Sequence, residues 1–336
     1  MKELLSKITE KVLLAREEQI IREQVFFNEK PKRRKNDFLF FIKPEILLLE
    51  DRTAQMKIIE LIIDRISAIG LFINEVNVLS AFYLKKYNII TQHYGVINRI
   101  SDDVKKNISE TAKEKFYSVY NTPFDQAEVF GSLEFLREFP EFTPLTLDYL
   151  WQNKKFEKLA GGTYVLDLTF NGRKVFLING FHPRQLDHFT RSGRCIVTFT
   201  LSGDLSWKEA RNHFIGITDP ARAEEGSLRR YFYDNASQLG LPAISASWNG
   251  VHLSAGPVEA LVELIRYNSD FSSGKTKQAG DYAFGKELIS AFGEKQMENI
   301  LSNINMMVDG KNISVFDLTE EKDSDEALAI IKKYYG

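Results

Sequence analysis

The chain predicts an α/β fold, and three observations carry the prediction. Short apolar runs of strand character, "DFLFFIK", "LFINEVNVLS" and "CIVTFTLS", alternate with amphipathic stretches of helical period. Asn171-Gly172, the pair favoured at tight hairpin turns, lies between two runs of alternating polarity. The composition, 43% hydrophobic and 27% charged over 336 residues, is enough to bury a large core and lacks the long apolar stretches of a membrane span.

Taken in order, residues 2–27 carry Leu, Ile and Val at helical spacing, until "NEKPKRRKND" breaks the pattern. Residues 1–36 therefore read as an N-terminal helix and linker. "DFLFFIK" reads as a buried strand stopped by Pro44, because proline removes a ladder donor and restricts the residue before it. "TAQMKIIELIIDRISAIG" places Met56, Ile59, Ile62, Ile63, Ile66 and Ile69 on one side of a helix, and Gly70 supplies a left-handed stop. "LFINEVNVLS" is a second strand, followed by a helix over about 81–88. Residues 96–160 alternate charged helical stretches with the Pro-interrupted "FLREFPEFTPLTLDYLW" and predict an all-helical insert. A β-hairpin over about 163–179 comes next. "CIVTFTLS" is a strand, 207–215 a helix, "AISAS" a strand, and a helix begins at Pro257. Residues 268–336 form a charged, helical C-terminal extension with "KNISVFD" as an edge strand.

A formal net charge of −2 argues against a polyanion-binding surface, so no nucleic-acid partner is expected. The one basic run, residues 30–35, reads as a solvated linker. The single cysteine, Cys195, lies in an apolar strand and suits a reducing compartment. The N-terminus intersperses Lys and Glu where a signal peptide would be apolar. The expectation is a cytoplasmic protein with no membrane partner.

Candidate chemistry centres on "NGVHLSAGPVEALVELI", where His252 stands between glycines 250 and 256. Glycines permit close backbone approach, and Pro257 opens a helix whose N-terminus favours anions. Glu259 and Glu263 are one helical turn apart. Glu259 reads as exposed, whereas a carboxylate at 263 could accept the far ring N–H of a histidine and fix its tautomer. Upstream, "IGITDPARAEEGSLRRYF" joins hydroxyl, arginine and loop backbone into a plausible phosphate receptor. Lys43 leaves a buried strand and faces either a site or solvent. "SSGKT", residues 272–276, lacks the leading glycine and strand of a phosphate loop and reads as a decoy.

Together "FFIKPE", "QHYG", "GITDPARAEEGSLR" and "NGVHLSAG", in this order, resemble the motifs of nucleoside diphosphate kinases. The resemblance covers roughly residues 37–95 and 178–267. It implies a ferredoxin-like (βαββαβ) α/β sandwich with an antiparallel sheet over 37–267, interrupted by the insert. It also implies transfer of a terminal phosphoryl from a nucleoside triphosphate to a nucleoside diphosphate through a phosphohistidine. His252 falls on the nucleophile, Asn249 on the asparagine beside it, Glu263 on the orienting glutamate and Ser254 on the serine supporting that glutamate. Lys43, Tyr94, Thr218 and Arg229 fall on phosphate-facing residues, and Phe181 or His182 on the base-stacking phenylalanine. Mg²⁺ would arrive on the nucleotide, with no dedicated metal ligands, and a homo-oligomer would be the family habit. The sequence departs from the pattern where a second phosphate arginine is due: Asn212 stands there and Arg211 one residue upstream. The segment between Arg229 and Asn249 is longer, and the insert replaces part of the nucleotide cleft. A catalytically weak nucleotide-binding sensor and an interaction protein are the other readings these departures leave.

Overall fold

Residues 36–42 read NDFLFFI, and the side chains of Phe38 through Ile42 are all fully buried. Such a run is what a central strand covered on both faces requires. The computed structural model describes residues 2–17, 19–170 and 172–335. Its strands are β1 (Arg22–Phe27), β2 (Asn36–Ile42), β3 (Phe72–Ser80), β4 (Val129–Gly131), β5 (Glu157–Ala160), β6 (Thr163–Phe170), β7 (Arg173–Ile178), β8 (Cys195–Gly203), β9 (Val251–Leu253), β10 (Asn305–Val308) and β11 (Lys311–Ser314). The chain divides into two units, the first holding the residues up to Tyr87 and those from Ser192 onward, the second Asn88–Arg191.

In the first unit five strands form one sheet in the order β1-β3-β8-β2-β9, with every neighbouring pair antiparallel. Alternate residues serve opposite faces. Phe38, Phe40, Ile42, Val76, Val78, Val197, Phe199 and Leu201 face a core closed by helix Arg52–Ala68 through Ile58, Ile59, Ile62, Ile63 and Ile66. Asp51 caps that helix, its carboxylate accepting from Thr53 N at 2.8 Å and Ala54 N at 3.2 Å. Gly70, at φ 80°, ends the turn beyond it.

Helix Pro257–Asn268 covers the opposite face and is itself buried on its outer side. Val258 and Leu261 pack into a second core with helices Ala283–Phe292, Glu294–Leu301 and Ser324–Tyr335 and the β10–β11 pair. The edge strand expected in "KNISVFD" is β11.

Two elements of this unit differ from the sequence-based expectation. Helix Lys2–Ala15 stops well before residue 27, and residues 22–27 are β1, paired with β3. Leu, Ile and Val spacing in a short segment suits either period, and Ser80, whose Oγ accepts from Ile21 N at 2.9 Å, binds this one to the sheet. "AISAS" is not a strand: Ser245 and Trp248 close a turn on each other, and β9 takes the place beside β2. Its small side chains bury little, with only Ile244 in the core.

The second unit carries a four-stranded sheet, β4-β7-β6-β5, in which β4 and β7 are parallel and the other pairs antiparallel. Residues 96–160 are therefore not all helical, since they supply β4 and β5. Both strands are too short to show a period, and β4 finds its partner more than 40 residues downstream in β7. The predicted hairpin forms, with Phe170 opposite Arg173 and Gly172 at φ 75°, while Asn171 lies outside the described residues. Helices cover both faces: Phe116 and Phe124 pack on one side, Phe135, Leu147 and Trp151 on the other. No helix among the described residues is long and apolar enough to cross a membrane.

Candidate active site

His252 is the middle residue of β9 and lies directly opposite Phe41 of β2, whose ring stacks on the imidazole at 4.4 Å and 20°. The imidazole is thus held by a strand rather than a turn, with 17% of its side chain exposed. Helix Pro257–Asn268 crosses the same face, so Glu263 reaches back to β9. His252 Nε2 is 3.1 Å from Glu263 Oε2, and Ser254 donates its Oγ hydrogen to that same oxygen at 2.5 Å. A carboxylate accepts only, so this contact assigns the ring proton to Nε2 and the lone pair to Nδ1. Glu263 is 2% exposed, and low dielectric strengthens the pair.

Lys43 follows β2 and is also buried. Its Nζ donates to Asn249 Oδ1 at 2.7 Å, and Asn249 Nδ2 donates to Thr218 O at 3.1 Å and to Ala246 O at 3.2 Å. Among the described residues no carboxylate comes within ion-pair distance of Lys43. Burial holds its ammonium well below the usual lysine range, at about 8; the Arg229 charge pushes the same way and Glu45 opposes it. Arg229 clamps the loop before β9, donating from Nη1 to Gly216 O at 2.8 Å and from Nη2 to Val251 O at 3.1 Å. The backbone at Gly216 has φ 86°, and a Cβ there would meet Ser227 Oγ at 2.5 Å, so glycine alone fits. A buried cation, an arginine and an oriented imidazole thus converge on the end of β9, a combination suited to an anion with an electrophilic centre.

The other expected residues have partners of their own. Arg211 is engaged by two carboxylates of the C-terminal extension, Glu320 at 3.0 Å and Glu321 at 3.4 Å. Thr218 is exposed, and it is its main-chain oxygen that bonds Asn249. Tyr94, Phe181 and His182 belong to the second unit. There Tyr94 meets His93 edge-on at 4.7 Å, and Phe181 lies 5.8 Å from Trp151. His182 is fully buried, with Nε2 3.1 Å from Asn98 Oδ1, so its ring offers no open face for a base to stack on. Burial drives its pKa down to about 4.

The glycines answer a different need from the one read in the sequence. A Cβ on Gly250 would lie 2.8 Å from the Phe232 ring, and one on Gly256 2.4 Å from Thr319 O. The chain itself approaches at both places. Glu259, expected to be exposed, is half-buried and accepts from Ala255 N at 3.2 Å. Its carboxyl is raised, first by burial and then by the neighbouring Glu263 charge. The sequence reading also missed Glu45, 1% exposed, which accepts from Gly250 N at 2.8 Å and braces the turn into β9.

No protein-family model matches the chain, and no curated protein matches it. Among solved structures, nucleoside diphosphate kinase from Encephalitozoon cuniculi aligns with TM-score 0.33 and 14% identity, over 70% of this chain and 90% of that one. A nucleoside diphosphate kinase family protein from Babesia bovis aligns with TM-score 0.33 and 12% identity, over 75% and 98%. An NDP kinase from Pyrobaculum aerophilum aligns with TM-score 0.31 and 16% identity, over 71% and 98%. Likeness at this level sets neither fold nor activity.

Proposed function

We propose that the protein is a phosphotransferase of nucleoside diphosphate kinase type on a ferredoxin-like core, with His252 as the residue that carries the phosphoryl group. The single observation that carries this reading is the His252–Glu263–Ser254 chain. A purely structural histidine has no need of a buried carboxylate that is itself braced by a hydroxyl. The strand order β3-β8-β2-β9 supports the fold assignment.

The Nδ1 lone pair attacks the terminal phosphorus of a nucleoside triphosphate, bound as its Mg²⁺ complex. The N–P bond forms as the bond to the bridging oxygen breaks, and a diphosphate leaves. An acceptor diphosphate oxygen then attacks the same phosphorus and restores the imidazole. Glu263 stabilises the positive charge that develops on the ring, while Lys43 and Arg229 offset charge spread over the phosphoryl oxygens. Incubation with γ-labelled ATP tests it: wild type acquires an acid-labile label, His252→Ala none. An unlabelled wild type sinks the proposal. The Lys43 ammonium adds a pH signature, because its cation is lost as pH rises through about 8. Labelling rate is expected to fall across that range, and Lys43→Arg to carry the fall to higher pH.

The neutralisation of Arg211 by Glu320 and Glu321 favours a second reading, a nucleotide sensor with slow turnover. Nucleotide binding retained by a wild type that forms no label would select it. Light scattering reads the homo-oligomer that the family resemblance implies.

A further inference from the structure

A cavity of about 820 Å³ opens in the first unit between the sheet and helix Ala283–Phe292. Its lining excludes His252, Glu263, Lys43 and Arg229. The volume lies within the range of small-molecule sites.

The cavity is chemically two-ended. Its floor is the polar side of the sheet: Asp37 of β2, Glu75 of β3 and Thr200 of β8, with Tyr282. Glu75 is already satisfied, accepting from Gln24 Nε2 at 2.9 Å and Asn77 Nδ2 at 3.0 Å and lying 3.5 Å from Arg22. Asp37 has no cation within ion-pair distance among the described residues, and burial pushes its carboxyl up to about 6, the Glu287 charge adding and the Ala283 N–H opposing. A half-buried carboxyl in that state is relieved by a ligand that donates a hydrogen bond.

The mouth is cationic. Lys32, Lys277, Lys286 and Lys332 stand around it, and no carboxylate among the described residues comes within ion-pair distance of any of them. The arginines of the lining are occupied, Arg33 by Glu287 and Arg34 by Asp204. Phe27, 48% exposed, adds a flat apolar wall beside Lys277, whose Nζ lies 5.4 Å from the ring centroid. Asp281 is the one further carboxylate of the lining, so these four ammonium groups leave a net positive potential at the opening.

We propose that this cavity is a second ligand site for a phosphorylated small molecule with a planar, hydrogen-bond-donating head, the chemistry of a nucleoside phosphate. The phosphates meet Lys277, Lys286 and Lys332, and the head lies on Phe27 with its donors toward Asp37. The site is independent of phosphotransfer at His252.

Hydrogen exchange on the full chain reads the two sites apart, this one over residues 27–37 and 277–290, the His252 site over 249–257. Saturating ATP is expected to slow exchange over 27–37 and 277–290. Lys286→Glu/Lys332→Glu abolishes that protection at the same ATP concentration, weakens binding here by about tenfold per reversed charge, and leaves labelling of His252 unchanged. Phe27→Ala is expected to weaken ATP more than inorganic tripolyphosphate. Adenosine and tripolyphosphate, each half of the ligand, protect less than ATP does. Unaltered exchange over both stretches under ATP overturns the proposal, and so does tripolyphosphate protecting as fully as ATP, which would mark a general anion patch. A chain that forms no phosphohistidine still shows the protection if this site is real, so failure at His252 is told from failure here.

Discussion

The two faces of the first unit's sheet use the same strands for opposite ends. On one, the Phe40 ring meets those of Phe199 and of Phe214, each with its centroid 5.7 Å away, within an apolar core. On the other, alternate residues of the same strands are Glu75, Asn77, Thr200, His252 and Ser254, all held by hydrogen bonds to one another or to helix Pro257–Asn268. Asn268 alone bridges Thr200 at 2.7 Å, Tyr282 at 3.0 Å and Asn77 at 3.2 Å. Burial of apolar area stabilises the fold regardless of direction, whereas a buried polar face must satisfy each donor and acceptor with a particular partner. The first face therefore tolerates similar residues, and the second holds groups at the fixed angles that chemistry needs.

The contrast breaks most readily at its apolar side. Phe40→Ala should lower the unfolding free energy by about 3–5 kcal/mol, read from urea denaturation, through lost transfer energy and the cavity left behind. Glu263→Gln should do the reverse of this. Labelling of His252 is expected to fall on the order of 100-fold, because the amide cannot stabilise the charged ring, while the unfolding free energy from urea denaturation changes by less than Phe40→Ala costs, about 1–2 kcal/mol. Should Glu263→Gln unfold the protein as Phe40→Ala does and leave labelling per folded molecule intact, the division between the faces is wrong.

The smallest effect concerns pH. Asp37 has a folded-state carboxyl raised to about 6, above its unfolded value, so its ionisation costs stability above that pH. The cost fades as pH falls through 6 and is gone below about 4, where both states are protonated. Asp37→Asn should accordingly gain stability at pH 8 and nothing at pH 3. A gain that does not change with pH would mean that the substitution improves packing.

Much of the first unit was legible locally. "DFLFFIK", the isoleucine stripe of residues 58–66, "LFINEVNVLS" and "CIVTFTLS" state their periods within a few residues, because burial on one or two faces selects the residues one by one. His252, Glu263 and Ser254 share 12 consecutive residues, so their association could be read from strand and helix spacing together with the family resemblance. Short strands escaped that reading. β1, β4 and β5 are each no longer than six residues, too short to show a period, and β1 and β4 owe their conformation to partners far along the chain.

What the sequence alone determined was the type of the longer elements and the set of groups able to do chemistry, since polarity, period and side-chain type are local properties. Which groups meet was decided by tertiary structure. Glu259 is half-buried because a C-terminal extension covers its helix, and Arg211 is neutralised because the same extension brings Glu320 and Glu321 to it. Gly256 must be glycine because Thr319 O occupies the place of a side chain. Burial and charge pairing arise from residues tens of positions apart in the chain, and only the folded chain sets those distances.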